Sequence, residues 1–324
     1  MKINRRFTQM RAGSFIKKSA LLCVYLRFCL FLCIFCVLLA GNSPAQQDFI
    51  ITQEGIEWNP IEAYLQKTIK SGNTEQKRSA LLQIRNFKTA RAARLAVPAL
   101  SDSSEIVRAE AAPAIVSLPP GEAAPLLVPL LQRDKSVLVR KEAAYALGKT
   151  RDTQAVRPLV EAVRRDKIQE VKDAATVALG EIGDVSAIDA LTQILQRAPR
   201  DEEEFFRRAA ARSTGQIAQI IQTSETEILT PENFLPRNLK ETTKPVYANL
   251  SEKFPQFRAA VPILIQALQN PRESADAKRE AAFALGAIGD ESAIPVLQAN
   301  LGSEDYYLAE IAREALLKLS KQPK

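Results

Sequence analysis

Apolar positions recur in this chain at helical spacing, and one six-residue pattern of apolar, basic and small residues keeps returning. Val107-Arg108-Ala109-Glu110-Ala111-Ala112 reappears as Val139-Arg140-Lys141-Glu142-Ala143-Ala144 and, weakened, as Val171-Lys172-Asp173-Ala174-Ala175-Thr176. Arg108 to Arg140 and Arg140 to Lys172 are each 32 residues. Later copies are Phe206-Arg207-Arg208-Ala209-Ala210-Ala211 and Ala277-Lys278-Arg279-Glu280-Ala281-Ala282. A terminal copy, Ile311-Ala312-Arg313-Glu314-Ala315-Leu316, lacks the basic second residue, and a faint first copy lies around residues 77–82. A fixed period of this size is the mark of a repeat architecture.

Each string is expected to open a helix whose small residues face a neighbour. Gly148, Gly180 and Gly286, each after a leucine, are read as the helix ends, since glycine tolerates the left-handed cap conformation. A second helix then starts at Ala123, Ala155, Ala187, Ala260 and Ala293. Proline near its front (Pro125, Pro158, Pro262, Pro295) removes an N–H that would lack a partner anyway. The unit is thus helix, turn, helix, and it cannot bury its apolar face alone; stacked units share one core. About seven such units fit between Trp58 and Leu319, which makes the fold all-α. The recurring run, ending in Ala-Leu-Gly-x-Ile-Gly-Asp, resembles the short HEAT repeats of the PBS-lyase type over roughly Ile61 to Leu319. That resemblance implies a right-handed α-α superhelix, a solenoid of about seven helix pairs.

The period is interrupted once. Between 221 and 255 the sequence turns polar and turn-rich, with Phe234, Val246, Tyr247 and Phe254 as isolated apolar points. Irregular stretches of this length are usually functional or disordered, so Phe234 and Tyr247 become candidate partner contacts, with an irregular cover over the solenoid's edge or an extra divergent helix as the alternatives. The repeats therefore divide into blocks at 46–220 and 256–324, around an insertion at 221–255. Ahead of them, residues 1–45 hold a basic start, an apolar run from Phe28 to Ala40, and Ser43-Pro44-Ala45 before Gln46. This is the layout of an export signal cleaved after Ala45, with an uncleaved membrane anchor as the alternative. Export, or tethering through this segment alone, is the expected location.

Charge follows the same division. The chain carries 44 Lys and Arg against 37 Asp and Glu, a formal net charge of +7. Lys2, Arg5, Arg6, Arg11, Lys17, Lys18 and Arg27 all lie in the leader, which has no acid, so the repeats are neutral overall. A neutral domain offers a phosphate backbone no surplus, and no nucleic-acid partner is expected. All four cysteines, Cys23, Cys29, Cys33 and Cys36, are also in the leader, leaving the repeats without a thiol.

The most regular charged feature is an acid six positions before a basic residue: Asp102 with Arg108, Asp134 with Arg140, Asp166 with Lys172, and Asp201 with Arg207. These are read as a structural ladder, the acid capping the second helix or its turn and the base reaching the adjacent unit's acid. The run Asp201-Glu202-Glu203-Glu204 could offer oxygen ligands to a cation, but fits better as carboxylates at a helix N-terminus. Solenoids bind partners on their concave row, where Glu110, Lys141, Glu142, Asp173, Arg208 and Arg279 are the candidates. Asn249-Leu250-Ser251 also matches a glycosylation acceptor.

The chain has no histidine, which removes Ser-His-Asp triads, Cys-His pairs, imidazole metal sites and the usual general base. No phosphate-binding loop is present, and no cofactor is expected. Phycobilin lyases and deoxyhypusine hydroxylases share this repeat. The hydroxylases build a di-iron site from His-Glu motifs, which this chain does not possess. The reading is a non-catalytic scaffold for another protein or peptide, its oligomeric state open; the alternative is a lyase-like chaperone for a chromophore or other ligand. If the ladder is structural, Arg108→Ala or Arg140→Ala lowers the melting temperature more than it lowers partner affinity; unchanged melting with lost binding would contradict it.

Overall fold

The computed structural model describes residues 51–52, 55–56, 58–119, 121–226 and 248–320. The chain divides into two units, Met1–Trp58 and Asn59–Lys324. In the first, β1 (Ile51–Thr52) pairs antiparallel with β2 (Gly55–Ile56), Ile51 opposite Ile56. The leader lies outside the described residues.

The second unit is a stack of helix pairs: α1 (Trp58–Ser71) with α2 (Thr74–Phe87), then α3 (Ala90–Ala96) with α4 (Glu105–Ala114). Next come α5 (Ala123–Arg133) with α6 (Val137–Thr150), and α7 (Val156–Arg165) with α8 (Gln169–Ile182). A fifth pair joins α9 (Ile188–Leu195) to α10 (Glu204–Thr226). After a short α11 (Leu250–Lys253), α12 (Pro255–Gln269) pairs with α13 (Ala275–Ile288), and α14 (Ile294–Ala299) with α15 (Tyr306–Leu319). The second helix of each pair packs on the second helix of the next, from α2 through to α15, and the first helices form the other layer. Among the described residues no helix is long and apolar enough to cross a membrane.

The repeated string forms the middle of this second-helix row. Its paired alanines, Ala111-Ala112, Ala143-Ala144, Ala174-Ala175, Ala210-Ala211 and Ala281-Ala282, are wholly buried. Between pairs, Asp152, Asp184 and Asp290 accept the backbone N–H two residues on, from Gln154, Ser186 and Ser292, and so start the turn into the next first helix.

The glycines correct the sequence reading. Gly148, Gly180 and Gly286 do not end their helices; α6, α8 and α13 run two residues further. The left-handed residues are Arg151, Gly183 and Gly289, with φ of 52°, 81° and 79°. The interior glycines instead make room for the next helix of the row. A Cβ on Gly148 would lie 2.8 Å from Ala178 Cα, on Gly180 2.5 Å from Ser213 Oγ, and on Gly286 2.5 Å from Ala315 Cβ. Gly215, in α10, does the same against Phe283 and Ala284. Pro262 also sits differently from expectation, well inside α12, because that helix already begins at Pro255.

The stretch expected to be irregular is helical at both described flanks. α10 runs to Thr226, and Leu250 and Ser251 of α11 are buried. Gln222 ties the flanks together, donating to the Ala248 and Ala287 carbonyls and accepting from the Ala248 N–H. Phe234 and Tyr247 lie outside the described residues.

Substituting Gly286→Ala sets two effects against each other. The better helix former contributes about 1 kcal/mol, whereas forcing α13 and α15 apart costs ~1–3 kcal/mol, so a net loss is expected in thermal unfolding. Gly302→Ala, with no atom near its would-be Cβ, should melt like the parent protein. A G286A variant melting at or above the parent would show that close approach does not limit this row.

Candidate functional site

One edge of the stack carries a charge ladder. Lys77 Nζ lies 2.6 Å from Asp102. Arg108 holds Asp134 with two hydrogen bonds, 2.8 and 2.9 Å, and Arg140 holds Asp166 with two of 2.9 and 3.2 Å. Each arginine also donates to the backbone carbonyl of the acid six positions before it, Asp102 or Asp134. Each acid accepts the N–H two residues on, from Ser104, Ser136 or Ile168. The six-residue spacing therefore lets one guanidinium hold its own turn and the next unit's acid at once. Arg108 holds the Asp134 carboxyl below its ordinary value, outweighing the opposing effect of burial.

The ladder departs from expectation at the fifth pair. No hydrogen bond or ion pair joins Lys172 to Asp201 among the described residues; three extra residues place exposed Asp201 at the start of a 3₁₀ turn. Arg207 is 2% exposed and pairs with Glu273, itself 6% exposed and 66 positions further on. Its remaining donors satisfy the carbonyls of Ile194 (3.0 Å), Leu195 (3.1 Å) and Arg197 (2.7 Å) at the end of α9. Arg279, a candidate partner contact in the sequence, is the last rung, with Nε 2.9 Å from Asp305. Of the two acids beyond the expected ladder, Glu273 carries a sequence signal, standing six positions before Arg279, whereas Asp305 is followed at that spacing by Ile311. Lys278 occupies the basic position of the repeated string, one residue before Arg279, which masks that spacing.

On the second-helix row, Glu110, Lys141 and Glu142 are half-buried on α4 and α6. Asp173, on α8, accepts from Gln169 at 2.8 Å, and burial raises its carboxyl against that bond. Arg208 and Arg279 come together further along, in an open trough of about 720 Å³. Its floor is α13, with Glu280, Phe283 and Gly286. One wall is α10, with Arg208, Arg212, Gln216 and Gln219; the other is α15, with Tyr307, Ile311, Glu314 and Lys318. Arg208 meets Asp276 at 3.0 Å and lies over Phe205, and Arg212 reaches Glu280 at only 3.4 Å. Burial raises the Glu280 carboxyl, with Arg212 and Arg208 opposing. Phe205, Tyr306 and Tyr307 stand exposed nearby.

Two other sequence features find local roles. Asp201, Glu202 and Glu204 are exposed, and among the described residues no cluster of acids could hold a metal ion. Asn249 caps α11, and the buried Ser251 hydroxyl sits against Asn249 and Asp290.

Burial should separate these ion pairs by strength. Glu273→Ala, which strands Arg207 in the interior, is expected to cost about 3–5 kcal/mol in urea unfolding. Glu122→Ala removes the exposed partner of Arg94 and should cost about 0–1 kcal/mol. Equal losses would refute the ranking.

The profile of HEAT repeats matches residues 61–147, 124–213 and 249–317. No curated protein matches the chain. Among solved structures, an engineered protein is 20% identical with a TM-score of 0.48, over 82% of this chain and 69% of that one. The complex of CpcE and CpcF of phycocyanin lyase from Nostoc sp. PCC7120 is 20% identical, TM-score 0.43, over 86% and 91%. Human deoxyhypusine hydroxylase in complex with glycerol is 21% identical, TM-score 0.36, over 81% and 96%. The repeat profile spans most of the chain and falls on helix pairs stacked through a common row: the chain belongs to the HEAT-repeat family.

Proposed function

We propose that this chain is a non-catalytic scaffold, exported or held at the membrane by its N-terminal segment, that takes a protein or peptide partner in the trough of α10, α13 and α15. The observation that carries the reading is the trough itself. It is open, lined by both polar and apolar side chains, and flanked by exposed Phe205, Tyr306 and Tyr307. Aromatic and arginine side chains at a concave surface are typical anchors for a partner. The absence of histidine from the sequence favours binding over acid–base chemistry, and the apolar run and Ser43-Pro44-Ala45 support export.

The test uses the chain from Gln46 onward, tagged and immobilised, against envelope extract. A partner should be enriched by the parent protein and lost with Gln219→Trp, which fills the trough from an exposed position. N-terminal sequencing of the exported form should begin at Gln46 if the leader is cut, or at the original start if it is an anchor. Equal enrichment by both proteins, or recovery only from the cytoplasm, would remove the proposal.

A further inference from the structure

Resting on that reading, we infer that the trough selects an extended peptide in which acidic side chains alternate with apolar ones. Four side chains of α10, Arg208, Arg212, Gln216 and Gln219, line one wall at intervals of three or four residues. On a helix that spacing is about 4.5–6 Å. Alternate residues of an extended chain are about 6.6 Å apart and share a face, so a strand-like peptide laid along α10 meets these side chains in near register.

Charge decides what that face carries. Each guanidinium has five N–H donors. Among the described residues Arg208 gives one hydrogen bond to Asp276, and Arg212 one long one to Glu280. Arg279, by contrast, is taken up by Asp276 and Asp305 together. The α10 wall therefore presents uncommitted, partly exposed guanidinium donors, suited to carboxylates, and then amides suited to peptide groups. The opposite wall and floor offer Ile311, Tyr307 and Phe283 to the intervening apolar side chains, and the wall's own charges, Glu314 and Lys318, pair with each other at 2.8 Å. Glu280, at the foot of the Arg wall, opposes an incoming carboxylate and tunes rather than abolishes the preference.

The measurement is fluorescence anisotropy with dye-labelled octapeptides. One alternates glutamate with leucine, one has the same composition with the glutamates grouped, and one alternates lysine with leucine; a single-stranded oligonucleotide is the fourth probe. The alternating acidic peptide should bind at least tenfold more tightly than the other three. Arg212→Gln, at the exposed rim, should weaken it about tenfold without changing the melting temperature, and Glu280→Gln should strengthen it. Equal binding of the lysine peptide or the oligonucleotide, or indifference to Arg212→Gln, would overturn the inference. If the envelope partner is still lost with Gln219→Trp while the acidic peptide fails, the scaffold reading stands and only the peptide chemistry is wrong.

Discussion

Everything in this stack depends on how closely the second helices approach one another. That distance is fixed by side chains that are nearly absent: glycine at 148, 180, 215 and 286, facing Ala178, Ser213, Ala284 and Ala315. With one helix seated against the next, the paired alanines of each repeat are fully buried, although each contributes little area by itself. The stability of such an array is a sum over neighbours rather than the property of one central core. A small change at one contact is then felt locally, but it also shifts the angle at which every later pair is presented.

The polar edge performs the complementary task. Helices packed through small residues can slide, and the bidentate Arg108–Asp134 and Arg140–Asp166 pairs fix their register. Because each arginine also holds its own turn, the rungs form a continuous line rather than isolated pairs. The line is interrupted at Lys172 and resumes through Arg207, which is buried together with its partner Glu273. The trough lies on the far side of this interruption, where Arg208, Arg212 and Tyr307 join the glutamates and lysine of the second helices.

Much of this was legible in the sequence. The 32-residue period, the paired alanines and the acid-to-base spacing of six are local properties, and they gave the helix pairs and the first rungs. What escaped was set by contacts between distant segments. Nothing near Gly286 distinguishes a helix end from a helix interior until Ala315 is seen against it. The partner of Arg207 could not be found at the usual interval, because the intervening chain is longer there. Arg279 was visible as a charge, yet its commitment to Asp305 depended on a one-residue shift within the motif. The trough required three helices side by side, and no single repeat encodes it.

The pair between Arg207 and Glu273 also bears on the order in which the chain folds. Most rungs join residues 26 apart and can close as soon as the next repeat leaves the ribosome. This one spans 66 positions, which raises the closure entropy by about 0.8 kcal/mol. Until Glu273 emerges, α9 and α10 hold a guanidinium with no counter-ion in what will become the interior. The N-terminal repeats thus form a nearly finished block that waits, with one unsatisfied charge at its growing end, for the helices that will complete the trough.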